Sequence, residues 1–271
     1  MHSTLPDSPP HPDHTFLAAQ SLVPVRKDPD ENAPLETQIL FGQSLICLDK
    51  QPKWLLIRNL EDGYEGWIDR KMAAHSASKP AVNRYFVDTP TALLQSQTSK
   101  NVFIRLGLHA PVPFAENLNE ICLGDIIWTL VEGKLSGPVE KFTQQHIFQQ
   151  AQRMLGTPYL WGGKSILGID CSGFTQLIYA RFGIYIHRNA SQQARQGTVV
   201  PWEERQVGDL VFFSTVNSSL SITHVGIIGP ELDSVLHASG SVRMDCLSEA
   251  GIVHQESQQL THHLKGIRTF L

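Results

Sequence analysis

The sequence predicts an α+β domain in the C-terminal half, preceded by one or two small all-β barrels. Three observations carry this. Short alternating apolar segments separated by turn residues fill residues 15 to about 74. Helical periodicity then appears at 140–155 and again after Asp170, and alternating segments follow to the end of the chain. A chain of 271 residues is long enough for two or three modules with cores of their own.

Taken in order, residues 1–14 are polar and proline-rich and read as a disordered leader. They lack the basic and apolar regions of a secretory signal, so a cytoplasmic location is expected, with export by another route left open. Residues 15–76 form the first barrel, with strands expected at 22–25, 37–40, 44–48, 53–58 and 65–68. Trp67 and Ile68 are expected in its core, whereas Tyr64 falls on the opposite side of the alternation and is free to serve a site. Residues 77–138 carry strands at 102–105, 110–114 and 125–131 before the boundary residues Gly133, Gly137 and Pro138. A second, degenerate barrel is preferred there over a structured linker.

Residues 139–271 form the last domain. A helix is expected from Glu140 to Leu155, burying Phe142, Ile147, Phe148, Ala151 and Leu155. Asp170 reads as the N-cap of a second helix whose buried face is Cys171, Phe174, Leu177, Ile178 and Phe182, with Gly183 as its stop. Strands follow at 209–213, 223–228 and 234–238, and another near 266–270.

Composition removes several function classes. A formal net charge of −4 and a pI near 6.3 leave no basic footprint for nucleic acid. No stretch approaches the roughly 18 apolar residues of a membrane span. The four cysteines are far apart and form no C-x-x-C pair, so neither a zinc site nor a disulfide framework is expected. No histidine pair has H-E-x-x-H spacing; no metal or other cofactor is anticipated, and a monomer is the simplest assembly.

Cys171 sits in the first turn of its helix, where unpaired N–H groups and the helix dipole favour a thiolate and receive an oxyanion. Such a nucleophile needs a base, and the base needs a third group to orient it. His224 and His237 lie in strands joined by the short connection at 229–233, which makes them antiparallel neighbours with both imidazoles on one face of a sheet.

The stretch Gly63-Tyr64-Glu65-Gly66-Trp67-Ile68 resembles the closing segment of bacterial SH3-like barrels. Residues 140–271 resemble the NlpC-type cell-wall cysteine peptidases, papain-like enzymes of bacteria. The matching blocks begin with 156–163, Asp170-Cys171-Ser172-Gly173-Phe174 and 188–193. Val207-Gly208-Asp209-Leu210, Thr223-His224-Val225-Gly226-Ile227 and His237-Ala238-Ser239 follow. The resemblance implies a papain-like fold with Cys171 as nucleophile, His224 as base and His237 as its orienting partner. It implies that Tyr159 and the backbone N–H of Cys171 or Ser172 assist the oxyanion, with Trp161 walling the cleft.

The barrel in front implies a narrower activity: a γ-D-glutamyl-L-diamino acid endopeptidase acting on peptidoglycan stem peptides, with diaminopimelate or lysine at the cut bond. Tyr64, Asp170 and position 189 are the candidate substrate-binding residues. In enzymes of this arrangement an aromatic residue of the barrel and a carboxylate of an Arg-Asp motif hold a free N-terminal L-alanine, in the setting of muropeptide recycling. Here the motif reads His187-Arg188-Asn189. Asn189 brings no charge, and charge-assisted bonds are roughly twice as strong as neutral ones, so about 1–2 kcal/mol of preference for a free amine is missing. Two other readings stay open: an amidase or transacylase acting on another amide, and a non-catalytic wall-binding protein carried by the barrels.

Overall fold

Strand pairing organises most of the molecule. The computed structural model describes residues 15–75, 84–113, 120–123, 125–137, 139, 141–216 and 221–271. The expected leader at 1–14, the boundary residue Pro138 and the helix start at Glu140 lie outside the described residues. Among the described residues no helix is long and apolar enough to cross a membrane.

The first seven strands share one sheet in the order Leu35–Leu40, Leu22–Arg26, Glu65–Asp69, Trp54–Asn59, Ser44–Lys50, Thr15–Ala18, Ala73–His75. Every second residue turns inward, so Val23, Val25, Ile39, Leu45, Leu55, Ile57 and Ile68 build one core. Trp67 corrects the sequence expectation. Ile68 takes the inward position, and strand parity leaves Trp67 half-buried on the other face. The first and last of these segments in chain order, Thr15–Ala18 and Ala73–His75, are too short to have announced themselves by alternation.

Two smaller sheets come next. One runs Phe103–Gly107, Thr91–Ser96, Ile126–Glu132, Ile121–Leu123; the other runs Pro111–Pro113, Arg84–Val87, Leu135–Ser136. They share a core of Val87, Leu94, Leu106, Val112, Ile121 and Trp128, into which Leu17 and Phe41 of the first unit also pack. Asp88 pairs with Arg153 at 2.6 Å, and Arg181 reaches Ser136 Oγ and the Gly137 carbonyl, which ties this middle region to the C-terminal domain.

Three short helices precede the last sheet: α1 (Gln144–Gln152), α2 (Cys171–Ala180) and α3 (Ala190–Gln193). Helix α1 is shorter than its periodicity suggested. Thr143 N–H donates to His146 Nδ1 at 3.0 Å and starts the helix at Gln144, and the chain turns away after Gln152. Leu155 therefore leaves the buried stripe and is 46% exposed, while Met154 is buried in its stead. Helix α2 ends at Ala180, and the turn after it runs through the expected stop residue Gly183, whose φ of 75° most side chains would resist.

The last sheet curls into a ring. Leu260–Thr269 pairs with Leu210–Thr215 on one side and with Gly251–Val253 on the other, and His224–Ile228, Ser234–Ser239 and Ser241–Ser248 complete the circuit. Val211, Phe213, Ile228, Val235, Leu247 and Ile267 fill the inside. The alternate residues Leu210, Phe212, Val225, Ile227 and Leu236 face outward and bury α1 and α2. Strands buried on both faces lose the polar–apolar alternation that makes a strand legible. The described chain is thus mostly strand, with only α1 and α2 longer than a single turn.

Candidate active site

Asp170 makes the N-terminus of α2. It has extended backbone angles, and its carboxylate accepts the Gly173 N–H at 2.7 Å and the Gly162 N–H at 2.8 Å. Gly173 is required here, since a Cβ would run into the Gly163 carbonyl. Cys171 is the first helical residue and is buried, packed in the core between α2 and the ring of strands. Backbone N–H groups of Val225 and Ser172 hydrogen-bond its sulfur.

The electrostatics differ from the simplest sequence expectation of a stabilised thiolate. Burial pushes the Cys171 thiol up to about 12, and the negative charge of Asp170 adds to this. The two N–H groups and Arg188 oppose that rise without overcoming it. The resting sulfur is a thiol.

His224 precedes Val225, so the strand that supplies an N–H to the sulfur also carries the base candidate. Strand parity puts His224 on the inner face of the ring with Ile228, and His237 on the same face with Val235. Gly226 lies directly opposite His237, where a Cβ would sit 3.1 Å from His237 Cβ. Without that atom, His224 Nε2 comes within 2.7 Å of His237 Nδ1. Burial holds the His224 imidazole well below the usual histidine range, and His237 and His262 push it the same way.

Sequence reasoning missed three neighbours of this pair. His237 Nε2 lies 2.9 Å from Asp245 Oδ2, and Arg243 donates to the same oxygen from Nε and Nη2 at 3.1 and 2.8 Å. His262 stacks on His224 with ring centroids 4.5 Å apart and planes 25° from parallel. Asp245 and Arg243 belong to Ser241–Ser248, a strand outside those the sequence indicated. A carboxylate at strand spacing from buried Leu247 was the available signal.

The other predicted residues lie in the segment before α2, in its cap and first turn, at the start of α3 and in the barrel. Tyr159 and Trp161 lie before the cysteine helix, 36% and 68% exposed. The Tyr159 phenol is pushed up to about 12, first by burial and then by the nearby Cys171 and Asp170 charges. Ser172 is buried, and its hydroxyl accepts from Arg188 Nη1 at 2.8 Å. Asp170 is engaged by protein donors at both oxygens, including Nη1 and Nη2 of Arg188. Asn189 is exposed and begins α3 without a side-chain cap bond.

The first unit packs against the segment before α2. Its strand Leu35–Leu40 lies along 162–165: Gln38 Oε1 accepts the Lys164 N–H at 2.9 Å, and a Cβ on Gly162 would meet Leu35 and Glu36. Tyr64 is half-buried and donates from its hydroxyl to Glu36 Oε2 at 3.0 Å. Burial and that carboxylate push its phenol up to about 12. Glu36 thus brings a carboxylate beside Tyr64.

Two segments of the chain match known families. Residues 156–261 match the NlpC/P60 family, and residues 25–71 match the bacterial dipeptidyl-peptidase Sh3 domain. The chain is 29% identical over 244 residues to a gamma-D-glutamyl-L-lysine dipeptidyl-peptidase of Bacillus subtilis, covering 83% of this chain and 82% of that protein. It is 30% identical over 214 residues to a protein of the same name from Bacillus cereus, covering 71% of this chain but only 64% of that relative's length. The crystal structure of an NlpC/P60 family protein from Bacillus cereus superposes with a TM-score of 0.80 at 25% identity, spanning 95% of this chain and 99% of that one.

Proposed function

We propose that this chain, whose residues 156–261 match the NlpC/P60 family, is a cell-wall cysteine peptidase that hydrolyses the γ-D-glutamyl-L-diamino acid bond of peptidoglycan stem peptides. The observation that supports the proposal is Cys171 in the first turn of α2, hydrogen-bonded by the N–H of Val225, the residue next to His224, with His224 in turn 2.7 Å from His237. Two relatives named for the γ-D-glutamyl-L-lysine bond support the choice of bond. The catalytic unit is read as an α+β papain-like domain at 139–271, behind a barrel at 15–76 and a second, degenerate one at 77–138.

In this reading Cys171 Sγ attacks the γ-carbonyl carbon while the neutral His224 takes the thiol proton. Burial raises the thiol and lowers the imidazole, which favours the neutral pair at rest over an ion pair. The oxyanion is met by first-turn N–H groups at Cys171 and Ser172 and by the Tyr159 hydroxyl, which its raised pKa keeps protonated. His224 then returns the proton to the leaving α-amine of the diamino acid, and water hydrolyses the thioester. Trp161 walls the open side of the cleft. Asp170, whose acceptors are occupied by the protein, positions the helix terminus.

Small muropeptides are the preferred substrates, because the Leu35–Leu40 strand and Tyr64 close the cleft on the side where the peptide begins. With Asn189 neutral, Glu36 is the carboxylate left to receive an N-terminal ammonium, and fragments lacking a free L-alanine amine are tolerated.

Mass spectrometry of L-Ala-γ-D-Glu-diaminopimelate incubated with the wild type and with Cys171→Ala tests the assignment. Release of free diaminopimelate by the wild type alone is the expected result. Cleavage at another amide, or equal cleavage by the variant, would overturn it.

A further inference from the structure

A carboxylate stands at the far end of the histidine pair, and its chemistry propagates along the pair to the sulfur. Asp245 is buried, and its carboxyl is held low, at about 2, because His237, the Gln255 N–H and Arg243 together outweigh the cost of burial. An ionised carboxylate only accepts hydrogen bonds, so the contact with His237 requires the proton on His237 Nε2. A neutral His237 then has a bare Nδ1. The 2.7 Å contact requires His224 to donate from Nε2, which leaves the lone pair of a neutral His224 on Nδ1.

We infer that Asp245, clamped by Arg243, is a positioning residue that fixes the tautomers of two histidines in series and so presents the basic nitrogen of His224 to the Cys171 thiol. The inference rests on the proposed thiol-peptidase reading for its kinetic consequence, but not for the tautomers themselves. The hydrogen-bond pattern leaves the carboxylate little freedom. Oδ2 accepts from both Arg243 nitrogens and from His237, while Oδ1 accepts the Gln255 N–H at 3.0 Å. His262, stacked on His224, limits rotation of the ring that would otherwise exchange its two nitrogens.

The same pattern makes two substitutions at Asp245 unequal. In Asp245→Asn the Arg243 donors hold the amide oxygen on the His237 side, so the acceptor survives and only the charge is lost. In Asp245→Leu the acceptor itself is gone and both tautomers become accessible. The expected kinetic result is a fall in kcat of roughly a hundred- to a thousand-fold for Asp245→Leu with KM little changed, and a clearly smaller fall for Asp245→Asn.

The deciding measurement is nitrogen NMR of the 15N-histidine-labelled full chain, with resonances assigned through His224→Gln and His237→Gln. In the wild type both rings should carry the proton on Nε2, and in Asp245→Leu this preference should be lost. A wild-type His224 protonated on Nδ1 overturns the inference by itself, even if no variant folds. So does an Asp245→Leu protein with unchanged tautomers and unchanged kcat. If the tautomers are as stated but no stem peptide is cleaved, the proposed function fails and the positioning role of Asp245 stands.

Discussion

Arg188 and Asp170 form a buried fork-to-fork ion pair, with Nη2 2.5 Å from Oδ2 and Nη1 3.0 Å from Oδ1. The remaining edge of the guanidinium donates from Nε to Thr37 Oγ1 of the barrel at 2.5 Å, and Nη1 also reaches Ser172 Oγ. One side chain therefore binds the cap of the cysteine helix to a module 151 residues away in sequence. The barrel is fixed to the helix that begins at Cys171 rather than tethered beside it.

Arg188→Lys is expected to be costly, although it keeps the charge. A lysine cannot reproduce the planar fork, and Asp170 would be left buried with donors missing. Breaking a buried pair in this way typically costs about 3–5 kcal/mol. Urea melts should show that loss for Arg188→Lys, against about 1 kcal/mol for Thr37→Ala, which removes a single hydrogen bond. Equal stability of Arg188→Lys and the wild type would rule out a structural role for the pair.

Asn189→Asp should sharpen selectivity. Adding a carboxylate beside the Tyr64–Glu36 side of the cleft gains about 1–2 kcal/mol for a free ammonium, or roughly five- to thirty-fold. The ratio of kcat/KM for L-Ala-γ-D-Glu-L-Lys over its N-acetylated form reads this directly. An unchanged ratio would mean that position 189 does not touch the N-terminus of the substrate.

Alkylation of Cys171 should be slow and should rise with pH. A thiol pushed up to about 12 offers little thiolate at neutrality, unlike the preformed ion pair of many cysteine enzymes. The exposed Cys122 and Cys246 should react first with iodoacetamide, as followed by peptide mapping. A Cys171 rate that is fast and flat from about pH 6 to about pH 9 would show a resting thiolate instead.

Acid should destabilise the protein well above the carboxylate range. His109 is buried, donates from Nε2 to the Gln150 carbonyl at 3.2 Å, and is held down to about 4 mainly by burial. Its folded pKa lies below the unfolded value of about 6.5. The fold is therefore fully favoured above about pH 6.5, and the unfolded chain gains protons first as the pH falls toward about 4. That single group accounts for about 3 kcal/mol over the window, and His262, also held down to about 4, acts in the same direction. Asp245 has a lower window, since its contribution is lost only below the ordinary carboxylate value. Urea midpoints at about pH 7.5 and about pH 5 should separate for the wild type and draw together in His109→Leu. Identical midpoints in the wild type would exclude the linkage.

Much of the fold is written locally in the chain. The barrel strands announce themselves because one face is buried and the other is not, so apolar residues recur every second position. Helix α2 announces itself through Asp170, the i, i+3, i+4 spacing from Cys171 to Ile178, and Gly183. His224 and His237 are legible as a pair because a short connection forces antiparallel neighbours, and Gly226 opposite His237 completes the fit. Trp67 and Leu155 depart from their expected places because each lies one parity step or one turn outside the element whose core it would have joined.

The positions of Cys171, His224 and His237 within their elements depend on neighbours a few residues away, and for that reason the amino-acid order alone was enough to place them on a helix N-terminus and on two neighbouring strands. It held no sign that Glu36 meets Tyr64, that Arg188 joins Thr37 to Asp170, or that His262 stacks on His224, and for Asp245 it held only a strand spacing without a partner. Those contacts join residues on different strands or different modules. The closed ring of strands and the docking of the barrel bring them together, and no periodicity along the chain encodes either.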